Sequence, residues 1–379
     1  MSQKIKIGID ASRCRSGGAI AHIIGILNVT IPTQFEVHLW TYEKLSKMIH
    51  GPVVKHSHPY INKNIFYQIF FQKFILKKQL SKNNIDILFS ADMNTVCNFS
   101  PMVFLNQDLL AFSGLHSNPD YSLVERARFL INKYLSIYGL NNSSGGIFLS
   151  NFSKNLVLKN NLKDKHHLET EIIPHGVSMS LRKYDLNQFL KKNVINITYV
   201  SNITPYKNHH HVINAIGNLE IEKKCIINFI GGGKEGSKYY KKIMDLTQSV
   251  SKKNTFISFN SHKFLSAEKV EKIVLSSDIY IFASSIESFG ITLLEGMRHG
   301  IPIICSEKSS LPEVLGLNGI YFDPTKSEDI TRSINFALNN PQKMIESAQY
   351  AYDLSYNFSW ETCSKKTFNF ISKVFHNQK

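Results

Sequence analysis

Short β-branched runs alternate with longer amphipathic stretches along this chain. KIKIGID (residues 4–10) leads into a glycine-bearing loop and AIAHIIGIL (19–27), then FEVHLWTY (35–42), with IDILFSA, MVFLNQ and GGIFLS following. Strand-sized apolar runs separated by helix-sized amphipathic segments are the pattern of βαβ units on a parallel sheet. The pattern pauses at EIIPHGVSMSLRKYD (171–185) and starts again with VINITYVSN, KCIINFIGGG, NTFISFN, DIYIFASS and IPIICSE. Two Rossmann-like halves are therefore expected. The last segment places Phe358, Trp360, Thr367, Phe368, Ile371 and Phe375 at helical spacing, which predicts a helix with one aromatic face.

The 379 residues exceed one ordinary domain, and 43% hydrophobic with 19% charged residues is a globular composition. The expected boundaries are 1–177, 178–355 and a C-terminal helix over 356–379 that packs back toward the first domain. A formal charge of +15 favours polyanionic partners, yet the basic residues are spread over both halves without any nucleic-acid-binding motif, so nucleic acid is not expected. Cys14, Cys97, Cys225, Cys305 and Cys363 lack paired spacing and read as reduced core thiols. MSQKIKIGID runs straight into a strand, and no apolar stretch is long enough for a bilayer span, which predicts a cytoplasmic protein.

Ligands of doubly wound sheets bind beyond the carboxyl ends of the strands, where helix N-termini present amide N–H groups to anions. Gly17 and Gly18 after the first strand fit such a loop, although the spacing is not the dinucleotide fingerprint and a simple turn explains them as well. The densest cluster is ASSIESFGITLLEGMRHGIPIICSEKSSLPEV (283–314). There Glu287 precedes a helix expected to begin near Gly290, and the amides of Phe289, Gly290 and Ile291 can face an anion. Glu295 on that helix can bond vicinal ribose hydroxyls; taken singly, Glu287 also reads as a cap and Glu295 as a solvated helix position.

ESFGITLLE followed by GMRHGIPII resembles the donor-site signature of glycosyltransferase family 4, retaining enzymes of the bacterial surface-polysaccharide type with the GT-B fold. YVSNITPYKNHHHVINAI, IIPHGV, FIGGGKEGSKYY, SLPEV and YFDP extend the likeness over most of the chain. The resemblance implies two Rossmann-like parallel-sheet domains facing a cleft. It also implies a nucleotide diphosphate sugar as co-substrate, with Lys207 neutralising the diphosphate. Asn202 stands where many members carry an arginine. The substitute is the Gly17–Gly18 loop, the helix after Gly290, or Arg13 and Arg15. Gln107 and Asp108 occupy the place of an acceptor-facing pair; Asp108 either orients the acceptor hydroxyl or caps the following turn.

No D-x-D pair occurs, so neither metal nor other cofactor is expected. His209, His210 and His211 point in different directions on a helix and make no metal site; His175 reads as a hinge hydrogen-bonder. The implied function is transfer of a mannose-, rhamnose- or related hexosyl group to a growing O-antigen or capsule glycan, free or lipid-linked. The alternatives are a non-catalytic sugar-nucleotide or glycan-binding subunit and a nucleotide-sugar epimerase on the same fold. Residues 62–84 interleave Phe66, Phe70, Phe71, Phe74 and Ile75 with Lys63, Lys73, Lys77, Lys78 and Lys82. That pattern suits either an anionic membrane surface, hence a peripheral location on the inner face, or a helix whose apolar stripe enters the core.

Overall fold

The computed structural model describes residues 4–15, 17–160, 168–178, 183–191, 193–263 and 265–378. They form two compact units. The first comprises Met1–His116, Val124–Gly176 and Phe358–Lys379; the second comprises Ser117–Leu123 and Val177–Asn357.

The first unit is built on strands β1 (Ile5–Asp10), β2 (Phe35–Trp40), β3 (Val53–His56), β4 (Ile87–Ser90), β5 (Met102–Asn106), β6 (Gly145–Phe148) and β7 (Glu169–Ile172). All pairs are parallel, in the order β3-β2-β1-β4-β5-β6-β7. The central strands β4 and β5 are buried at every position, as a sheet covered on both faces requires, and this is why ILFS and MVFLN read as unbroken apolar runs. The edge strands VVKH and ETEI carry charge and stay half exposed, which discourages edge-to-edge pairing.

The helix Trp360–Asn377, capped by Ser359, belongs to this first unit. Thr367, Phe368, Ile371 and Phe375 are buried. Trp360 lies flush against Gly25 on the helix Gly17–Leu27, where a Cβ would come within 2.2 Å of the indole. Ser364 Oγ donates to the Ile26 carbonyl at 2.9 Å, and Phe35 stacks on Phe368 at 5.4 Å.

Residues 65–82 form one helical run, Ile65–Phe70, Phe71–Leu76 and Lys77–Lys82, whose middle turn is a π-helix. The extra residue in that turn keeps Phe71, Leu76 and Leu80 on the inner side. Of the four phenylalanines, only Phe71 enters the core; Phe66, Phe70 and Phe74 face solvent.

The second unit carries β8 (Val194–Val200), β9 (Lys224–Ile230), β10 (Ile257–His262), β11 (Ile279–Phe282), β12 (Ile303–Ser306) and β13 (Ile320–Phe322). They are parallel in the order β10-β9-β8-β11-β12-β13. Each sheet therefore reverses its winding once, between β1 and β4 in the first unit and between β8 and β11 in the second. All five cysteines are free and buried. Among the described residues no helix is long and apolar enough to cross a membrane.

Candidate donor site of the second unit

The loop after β8 turns through Pro205–Lys207 into the helix His209–Gly217. Asn208 at the junction has φ +55, a left-handed conformation that asparagine tolerates better than most residues. Its side-chain amide donates to the Ala283 carbonyl at 2.8 Å and to Ser285 Oγ at 2.7 Å, and Ser285 N–H donates to the Tyr206 carbonyl at 2.8 Å. These three bonds staple the loop after β8 to the loop after β11 across the reversal point. The staple brings Lys207 Nζ onto Glu287 Oε1 in an ion pair with only 12% and 16% of the side chains exposed.

A third loop fixes the backbone of Glu287. Ser309 Oγ accepts from Glu287 N–H at 3.1 Å, and Ser310 Oγ donates to the Glu287 carbonyl at 3.0 Å. Lys207 also stands 5.0 Å from the Tyr206 ring and 5.5 Å from the Phe282 ring, so aromatic faces support its charge. On the far side, the glycine loop after β9 approaches so closely that a Cβ on Gly231 would sit 2.3 Å from the Ser201 carbonyl oxygen. Asn202 beside it is exposed.

The helix after β11 runs over Ile291–His299, with Gly290 at φ +91 as its N-cap. Phe289 is buried behind the turn and Ile291 is half buried. Leu293 and Leu294 N–H donate to the Gly290 carbonyl at 3.0 and 3.1 Å, and the N-terminus of this helix, three residues after Glu287, carries positive potential. The carboxylate of Glu287 does not cap this helix; it is spent on Lys207. Glu295 lies further along the helix with its side chain open to solvent, yet the surrounding protein desolvates it and pushes its carboxyl up to about 7.

The histidine run disperses. His209 is buried and stacks on Tyr199 at 4.8 Å, His210 Nδ1 meets Tyr239 Oη at 3.0 Å, and His211 Nδ1 meets Ser327 Oγ at 3.1 Å. Burial depresses His209 to about 3 and His210 to about 4, so both are neutral near pH 7. Among the described residues no three His, Cys, Asp or Glu side chains converge to hold a metal.

The remaining candidates lie in the first unit. Gly17 opens the helix Gly17–Leu27 with φ +57 and nothing within 4 Å of a Cβ placed there. A Cβ on Gly18 would stand 3.5 Å from Gln107 Oε1 and 3.6 Å from His175 Nε2, so these three residues converge. His175 Nδ1 faces His22 Nδ1 at 3.1 Å, and burial pushes His175 down to about 3. Asp108 Oδ1 accepts from Leu110 N–H at 2.8 Å, which is the turn-capping contact; its carboxyl reaches solvent but is raised by the protein around it. Arg13 and Arg15 are committed within this unit. Arg13 donates to the Asn94 carbonyl at 2.7 Å and lies 3.7 Å from Asp92, while Arg15 bonds the Ile61 carbonyl and stacks 3.9 Å over Tyr42.

Sequence reasoning missed Asn208, Ser309 and Ser310, which position the pair rather than belong to it. The signal for Asn208 was its place directly before a helix; the two serines gave none.

The fold and this pair define a doubly wound α/β protein with a charged site beyond the carboxyl ends of its second sheet. Residues 183–354 match the family model described as Glycosyl transferases group 1. O-antigen chain mannosyltransferase B of Escherichia coli is 30% identical over 102 residues, which cover 27% of this chain and 27% of that protein. The serotype-specific mannosyltransferase WbdA of Escherichia coli is 28% identical over 158 residues, 42% of this chain and 19% of WbdA. The chain thus aligns with well under half the length of either curated relative. Among solved structures, Anabaena HepE in complex with UDP and glucose superposes with a TM-score of 0.72 at 18% identity, covering 97% of this chain and 100% of that one. Sucrose-phosphate synthase from Thermosynechococcus elongatus gives 0.75 at 14% identity, covering 99% and 100%. The chain has the GT-B architecture of two parallel-sheet α/β domains, and its segment 183–354 is similar to the group 1 glycosyl transferases.

Proposed function

We propose that the protein is a retaining, family 4 type glycosyltransferase that moves a mannosyl, rhamnosyl or related hexosyl group from a nucleotide diphosphate sugar to a growing O-antigen or capsule glycan. The observation that carries this reading is the Lys207–Glu287 pair, stapled by Asn208 beyond the carboxyl ends of β8 and β11. That is where an open parallel sheet takes its ligand. The mannosyltransferase names of the curated relatives support the sugar class, and the UDP and glucose of the HepE structure support the donor class.

In this mechanism the ammonium of Lys207 and the amides at Phe289, Gly290 and Ile291 take up the charge of the departing diphosphate, as preorganised donors do without a metal. Glu287 turns from Lys207 toward hydroxyls of the transferred sugar, and Glu295 accepts from the ribose hydroxyls. The bond from the anomeric carbon to the diphosphate oxygen breaks as the acceptor oxygen bonds to that carbon on the same face. The acceptor proton passes to the released phosphate oxygen. Asn202 of the second unit lies on the donor's side of this pair. The reaction takes place in the cytoplasm, where nucleotide sugars are made.

Thermal shifts and slow donor hydrolysis with UDP-, GDP- and dTDP-sugars, with and without EDTA, test the proposal. The expected result is a shift with one nucleotide class and hydrolysis unaffected by EDTA. Binding to no nucleotide overturns the reading, binding without any turnover assigns a carrier subunit, and EDTA-sensitive turnover refutes metal independence.

A further inference from the structure

The helical run over residues 65–82 buries two polar side chains beside Phe71, Leu76 and Leu80 and leaves aromatic ones outside. Its inner side places Gln68 and Gln72 among the buried residues, at 5% and 1% exposure, held by bonds from Gln68 Nε2 to the Lys63 carbonyl and from Gln72 Nε2 to Asp10 Oδ2, both at 2.6 Å. Its outer side shows Phe66 at 78%, Phe74 at 53%, Phe70 at 47%, Ile65 at 45% and Tyr67 at 41%. Phe66, Phe70 and Phe74 recur every four residues and therefore share one face. With two glutamines taking inner positions, three phenylalanines on one outer face are an exposed apolar patch rather than scattered single residues.

The aromatic face is organised. Phe70 and Phe74 stand 4.8 Å apart, Tyr60 meets Tyr67 at 5.3 Å and Phe70 at 5.8 Å, and Lys63 and Lys73 lie over Tyr67 and Phe74 at 4.6 and 5.6 Å. The charge on the segment that carries it has one sign. Residues 44–85 contain eight lysines and no aspartate or glutamate, and Lys63, Lys73, Lys77, Lys78 and Lys82 are all exposed.

We propose that this face of the first unit docks on a lipid bilayer bearing anionic headgroups. The phenylalanines enter the boundary between headgroups and acyl chains, and the lysines meet the phosphates at their edge. A second copy of the chain fits less well, because a two-fold contact through this patch sets lysines against lysines. The docking is a property of the first unit alone and does not depend on donor chemistry, so its failure and that of the proposed transferase activity are separately visible.

Co-sedimentation with extruded vesicles tests it, using pure phosphatidylcholine against vesicles containing about one third phosphatidylglycerol. The whole protein is expected to partition to the anionic vesicles and to be released as salt screens the lysines. Phe66→Ser/Phe70→Ser/Phe74→Ser is expected to lose at least about tenfold in partitioning. Lys73→Glu/Lys77→Glu/Lys78→Glu is expected to lose as much, with both variants keeping the wild-type near-ultraviolet dichroism and thermal midpoint. No partitioning to anionic vesicles, or unchanged partitioning of the folded triple-serine variant, overturns the proposal. A concentration-dependent dimer that the triple-serine variant dissolves overturns it too, and assigns the face to self-association.

Discussion

At the end of β1 the first sheet buries a carboxylate. Asp10 accepts from Ser12 N–H at 3.0 Å and from Gln72 at 2.6 Å, burial raises its carboxyl, and the neighbouring Arg13 is consumed by Asn94 and Asp92. At the corresponding end of β8 the second sheet holds Lys207 beside Glu287, backed by a helix N-terminus with a left-handed glycine. The two sheets share one winding order, so topology supplies a crevice in each. What differs is the charge that each loop set delivers there, and only the second sets a lysine beside a helix N-terminus. The comparison shows that fold decides where a ligand can bind, while a few loop residues decide which ligand.

The sharpest way to break this contrast is to remove the cation. Lys207→Ala is expected to lower kcat/KM for sugar transfer by about 10²–10³-fold, the usual cost of losing one preorganised donor, while Arg13→Ala leaves nucleotide affinity unchanged. Equal affinity loss in the two variants, measured by calorimetric titration with the nucleotide diphosphate, refutes the asymmetry. A second test loads only the first unit. Gly25→Ala drives a methyl group into the Trp360 indole and is expected to cost about 1–3 kcal/mol of stability in thermal melts, with nucleotide affinity retained.

Glu287→Gln has a smaller expected effect, roughly tenfold in kcat/KM, since an amide still bonds sugar hydroxyls but no longer orders Lys207. The mildest signal is in pH. With Glu295 at about 7 and bonding the ribose as proposed, donor affinity is expected to rise severalfold as pH climbs through about 7, and Glu295→Gln to flatten that profile. The stability of the unliganded protein moves oppositely. A carboxyl raised in the folded state contributes fully below its ordinary value of 4.5 and loses that contribution as pH rises through about 7. Melting profiles of wild type and Glu295→Gln across that window check the sign.

Much of this was legible in the linear chain. Parallel strands buried on both faces must be apolar throughout, and so β4, β5, β11 and β12 stand out as short β-branched or aromatic runs. Lys207, Glu287 and Glu295 were visible as chemistry because their neighbours SFG and PYKN punctuate strand-to-helix turns. The orientation of residues 65–82 was not legible, because a π turn shifts the register that a constant helical period assumes. The commitments of Arg13 and Arg15 were hidden for another reason: their acceptors, Asn94 and Ile61, are backbone carbonyls, and any residue type provides one.

Local covalent chemistry and the periodicity of burial sufficed to determine the strands, the glycine turns and the identity of the charged groups. Which of those groups meet was decided in three dimensions. Lys207 and Glu287 are separated by eighty residues, and their contact arises because β8 and β11 are adjacent and Asn208 clasps the loops that follow them. Such a contact depends on the order in which strands assemble, a collective consequence of packing the whole sheet, which no short stretch of residues encodes.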